Sequence, residues 1–181
     1  AAAPAEPVTP EKRIANWRED LKFLAEELPK RHPNAFFKCK KEDFEAAAAA
    51  LDKKIPELQD DQIVVGLMKL AAMIGDFHTG IGPQALKQPV RYFPLAFGMF
   101  SDGPVIGAAR ESQKDLIGCT VVKIGDTPID EAMRRAGALI GYENEATFKI
   151  QTPRLLAVAP IAQGVGLIAD QEKMSVTVRG K

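Results

Sequence analysis

The segment Gly-Asp-Phe-His-Thr-Gly-Ile-Gly at residues 75–82 holds the most suggestive chemistry in this sequence. His78 follows a strongly apolar helical pattern, stands between Asp76 and Thr79, and has Gly75, Gly80 and Gly82 around it to let the backbone bend. An imidazole titrates near neutrality, so one presented on such a loop has the chemistry of a general base. The competing reading is a purely structural loop, in which Asp76 and Thr79 make local hydrogen bonds as these residue types often do. A base also needs a nucleophile. Ser101 falls in a hairpin turn, Ser112 in a polar loop and Ser175 in an alternating strand, and none has the G-x-S-x-G setting of an exposed nucleophile. The residues therefore offer His78 as a catalytic candidate without a complete active site.

Other chemistries find less support. His32, His78, Cys39 and Cys119 show no metal-ligand spacing, so no metal is expected, and the lack of a G-x-G-x-x-G or P-loop pattern predicts no cofactor. The two cysteines are expected to be free and buried rather than paired. The 24 basic residues balance the 24 acidic ones, and no basic-aromatic stripe occurs, which argues against nucleic acid as a partner. No apolar run reaches the roughly 20 residues of a transmembrane segment.

The elements that must position His78 change character along the chain. Ile14, Trp17, Leu21, Leu24 and Leu28 recur at helical spacing, with Pro29 and Pro33 expected to end that helix. An alanine-rich helix is expected over 42–54, with Phe44, Leu51 and Ile55 on one stripe. A third begins at a cap formed by Asp60 or Asp61, turns Ile63, Leu67, Leu70, Ala71 and Ile74 one way, and stops at Gly75. From Pro89 onward strand patterns dominate: 90–100, 104–109, 118–124 and 173–180, with a helix after Gly125-Asp126-Thr127-Pro128. Residues 142–166 read as an extended piece followed by another short helix broken near Pro160. The predicted class is α+β, with a flexible arm at 1–10, a helical subdomain at 11–82 and a small β domain at 89–181. The arm, Ala-Ala-Ala-Pro-Ala-Glu-Pro-Val-Thr-Pro, has the composition found just after a signal-peptidase site and predicts export; the last strand running up to Lys181 suggests a piece of a longer protein.

Several of these segments together resemble the N-terminal region of the tail-specific, or C-terminal-processing, serine peptidases and their tricorn-like relatives. The specific pieces are Gly75-Asp76-Phe77-His78-Thr79, similar to a G-D-G-H-T segment, and His32-Pro33-Asn34 with Phe36, similar to an H-P-N-x-F pattern. Phe77 stands where glycine is usual. The resemblance covers nearly the whole chain and implies that the β domain is PDZ-like. It also implies that the serine nucleophile belongs to a later domain of the same parent chain, that His78 is the base of the histidine-using branch, and that this chain alone is inactive. A PDZ-like sheet edge accepts an extended peptide as an added strand. Tyr92, Phe93, Pro94 and Leu95, beside a helix at 130–140, are the substrate-binding candidates, and C-terminal segments of peptides or proteins the expected partners. The alternative is a non-catalytic peptide-binding or scaffolding module.

Overall fold

The computed structural model describes residues 9–101 and 103–180. Most of the arm thus lies outside the described residues, and its last two residues are the cap and the first residue of the first helix. Thr9 caps α1 (Pro10–Arg31), its hydroxyl accepting the Lys12 N–H at 3.3 Å. Pro10 fits at the first turn, where a missing N–H costs nothing.

Helices α1, α2 (Lys41–Lys54) and α3 (Asp60–Ala72) pack pairwise around Leu21, Phe44, Ile55, Ile63, Leu67 and Leu70. Two local expectations are corrected. Pro29 does not end α1, which runs to Arg31 and closes with the His32 N–H on Leu28 O at 3.0 Å. Leu21, Leu24 and Leu28 keep that last turn packed across the proline. The cap of α3 is Gln59, not an aspartate, and a reciprocal capping box with Gln62 satisfies two free amides.

Two 3₁₀ turns, Pro83–Ala85 and Glu111–Leu116, flank the first hairpin of the sheet. The strands are β1 (Leu95–Phe100), β2 (Gly103–Ala109), β3 (Thr120–Ile124), β4 (Thr127–Pro128) and β5 (Val176–Arg179). All pairings are antiparallel, in the order β1-β2-β3-β4 with β5 also on β3. The fold is therefore α+β, helical first and then built on a small antiparallel sheet. Helices α4 (Ile129–Gly137), α5 (Glu145–Leu156) and α6 (Ala159–Gly164) complete it.

The extended piece expected to open residues 142–166 is instead mostly α5. Asn144 caps it by accepting the Thr147 N–H at 2.9 Å, an N-cap signal that outweighs Pro153 near the far end. The helical run breaks at Ala157 and Val158, next to Pro160 as expected, and Pro160 sits in the first turn of α6. β1 is shorter than its sequence pattern because Pro94 has no N–H to give a ladder. Ser175 precedes β5 instead of lying within it. Cys39 and Cys119 are free thiols; Cys119 is buried, and burial chiefly raises the Cys39 pKa.

α3 serves both halves of the chain. Ile63, Leu67 and Leu70 face the helical core, whereas Val64, Val65 and Met68 join the sheet-side core with Ile106, Ile124 and Leu156. A helix with a core on two sides needs apolar residues beyond a single stripe, which its sequence supplies, while Lys69 stays exposed on the remaining face. Among the described residues no helix is long and apolar enough to cross a membrane.

Candidate active site

The His78 loop hangs from the end of α3. After Met73, Gly75 adopts φ +77, a left-handed conformation that turns the chain and that a side chain would strain. Asp76 then organises the loop. Its Oδ1 accepts the His78 N–H at 2.9 Å and its Oδ2 accepts the Thr79 hydroxyl at 2.8 Å. The local hydrogen bonding foreseen as a structural alternative is thus present, and it leaves the His78 side chain outward, 84% exposed.

A second contact comes from 44 residues away. His32 closes α1, and its Nδ1 accepts the Asn34 N–H at 3.2 Å, so Nε2 carries the ring proton and donates it to Asp76 Oδ2 at 3.1 Å. The His-Pro-Asn segment and the Gly-Asp-Phe-His-Thr segment are therefore two sides of one contact. These donors hold the Asp76 carboxyl well below the usual range, the His78 amide contributing most, then the Thr79 hydroxyl and the His32 ring. His78 Nδ1 lies 3.5 Å from Asp76 Oδ1, beyond a good hydrogen bond but with the carboxylate on the Nδ1 side of the ring.

The sheet half closes the loop from the other side. The Phe77 N–H donates to Glu143 Oε1 at 3.2 Å, and Lys38 Nζ reaches Tyr142 O at 2.7 Å. Gly141 packs directly on the Asp76 backbone, where a Cβ would meet the carbonyl carbon at 2.9 Å. The Phe77 ring stands edge-on to the His78 ring, centroids 5.7 Å apart. Phe77 in place of glycine thus gives the imidazole an apolar side wall. Ligand atoms of Asp76, His78 and Glu143 lie within 4.8 Å of one another and could gather a cation, a grouping the sequence spacing had not suggested.

Beside His78 opens a cavity of about 490 Å³, lined among others by Met68, Ile81, Tyr92, Leu139, Leu155 and Val158. Of the four groove candidates only Tyr92 reaches it; Phe93, Pro94 and Leu95 do not. Their setting also differs from expectation. The helix packed on β1 is α5, whereas the helix at 129–137 packs on β3 and β4. The Phe93 N–H is taken by Ala157 O at 2.8 Å and Arg91 O by the Ala159 N–H at 3.0 Å, so one edge of this segment is already paired with the α5–α6 junction. Leu95 pairs with Ala109 inside the hairpin. Sequence reasoning missed Gln151 and Arg154 in the cavity wall, because reading an extended piece after Tyr142 hid the single helix that carries both. Asn144 with Thr147 was the available signal.

Two solved structures share this architecture. One is a structure of mature CPAF complexed with lactacystin, with a TM-score of 0.55 and 14% identity over 92% of this chain and 34% of that one. The other is a crystal structure of a CPAF point mutant, with a TM-score of 0.56 and 13% identity over 91% and 34%. The fold is related to that of CPAF. The chain spans about a third of the length of these structures. No family model and no curated protein matches the sequence.

Proposed function

We propose that this chain is the N-terminal portion of an exported serine peptidase of the tail-specific, or processing, superfamily. It supplies a PDZ-like substrate-handling module and His78, while a further domain of the parent chain supplies the serine. The observation that carries this reading is the His32–Asp76 contact, which joins the two segments most similar to that family and leaves the His78 ring exposed beside a cavity. The shared fold with CPAF supports it.

In the reaction, His78 Nε2 takes the serine hydroxyl proton as the serine oxygen bonds to the peptide carbonyl carbon and the carbonyl electron pair moves to its oxygen. The imidazolium formed is stabilised by Asp76 on its Nδ1 side. It then returns the proton to the departing amine as the C–N bond breaks. None of Ser101, Ser112 and Ser175 lines the cavity at His78, which favours binding alone for this chain in isolation. The partners are peptide or protein C-terminal segments.

The test is His78→Ala in the full parent protein, with circular dichroism confirming the fold. Peptide cleavage is expected to fall by about 10²–10⁴-fold, the usual contribution of a general base. Unchanged cleavage removes His78 from the mechanism.

A further inference from the structure

The cavity beside His78 has an unbalanced electrical character. Most of its lining is apolar, no aspartate or glutamate lines it, the Asp76 and Glu143 carboxylates stand behind its His78 rim, and Arg154 stands in its wall. Gln151, Arg154 and Leu155 share one face of α5, which presents the guanidinium next to the floor. Arg154 Nη1 donates to Gln151 Oε1 at 3.3 Å, a neutral partner, and among the described residues no carboxylate pairs with it. Most other arginines near the site's elements are compensated: Arg134 and Arg135 by Glu131, and Arg91 by Glu172. Arg154 is exposed, so its guanidinium is open to an incoming anion, and a carboxylate can take a charge-assisted bond from it.

We propose that this cavity is a subsite for an acidic side chain of the bound peptide, with its methylene carbons on Leu139, Leu155 and Val158 and its carboxylate on the Arg154 guanidinium. The proposal rests on the reading that a peptide passes His78. It adds the chemical preference at that place: because His78 borders the same cavity, the acidic residue sits close to the bond that is cut. Gln151 orients the guanidinium, and Tyr92 at the rim covers the ligand's backbone side.

Binding, rather than cleavage, keeps the test independent of the peptidase reading. Fluorescein-labelled hexapeptides of alanine and leucine, carrying one Glu, its isostere Gln or a Lys at each position in turn, are titrated into this chain by anisotropy. Each is made with a free and an amidated C-terminus. A Glu peptide is expected to bind about tenfold more tightly than its Gln counterpart, the order of effect of a charge-assisted hydrogen bond. The ratio is expected to fall to about one in Arg154→Gln and to turn in favour of a Lys peptide in Arg154→Glu, and Arg154 is exposed enough for both variants to fold. Equal binding of Glu and Gln peptides, no binding of any peptide, or a preference that survives Arg154→Gln overturns the proposal. A preference that follows the free C-terminus instead of the side chain overturns it too. Charge-dependent binding in a parent protein that cleaves no peptide would refute the peptidase reading and leave this subsite standing.

Discussion

Gly141→Ala tests whether the two halves of the chain hold the His78 loop as described. An alanine Cβ would lie 2.9 Å from the Asp76 carbonyl carbon and closer still to its oxygen. Comfortable carbon contacts begin near 3.5 Å, so the Asp76 backbone must retreat by about 0.6 Å or more. The obstacle is backbone, not the end of a flexible side chain, so it cannot simply swing aside. Overpacking of this kind costs about 1–3 kcal/mol. For a chain of this size that lowers the melting temperature by about 2–4 °C per kcal/mol. The same displacement moves the imidazole, and a shift approaching 1 Å can cost about 100-fold in rate where geometry is critical. Thermal melts and two-dimensional amide NMR of this chain give the readout, with peptide cleavage by the parent protein as a second one. Gly80→Ala is the control, since nothing lies within 4 Å of a Cβ there. If Gly141→Ala melts with the wild type and leaves the Phe77, His78 and Thr79 amide resonances in place, the packing argument fails.

Two further outcomes follow from the same structure. The Asp76 carboxyl is held below its ordinary value of 3.8, so its stabilising effect is complete above that pH and is lost as the pH falls toward the lowered value. The urea midpoint of the wild type is therefore expected to exceed that of Asp76→Asn most at pH 6, and the gap to narrow below about pH 4; a gap independent of pH would refute the assignment. Phe44, 1% exposed and set edge-on to Phe36 at 5.9 Å, is expected to cost about 3–5 kcal/mol on replacement by alanine, read from chemical denaturation. A loss under about 1 kcal/mol would show that the helical core does not depend on it.

How much of this was legible in the sequence depends on how local the cause was. The apolar stripes of α1, α2 and α3 and the turn at Gly75 follow from spacing and from one residue's φ, and they could be read directly. The two β segments joined by the hairpin at Ser101 and Gly103 were legible for the same reason. α5 was not, because Thr147, Phe148, Ile150 and Thr152 have strand preferences that its cap and its packing against β1 and α4 override. The His78 loop was recognisable, but its supports were not. His32, Glu143 and Gly141 reach Asp76 and Phe77 across 44 to 66 positions, and no local pattern encodes such a meeting. Tyr92 turned out to border the His78 cavity instead of an open strand edge, since the pairing of Arg91 and Phe93 with the α5–α6 junction is likewise long-range.

The double burial of α3 reaches beyond packing. This helix has a core on each side and the His78 loop at its end, so it acts as a common axle for the molecule. A volume change at Ile63 on one side or at Val65 on the other would tilt the same rod, and the loop, farthest from the fulcrum, would move most. Variants scattered through both cores would then alter the aim of the imidazole without touching it, and natural sequences of this kind would have to change the two cores in step.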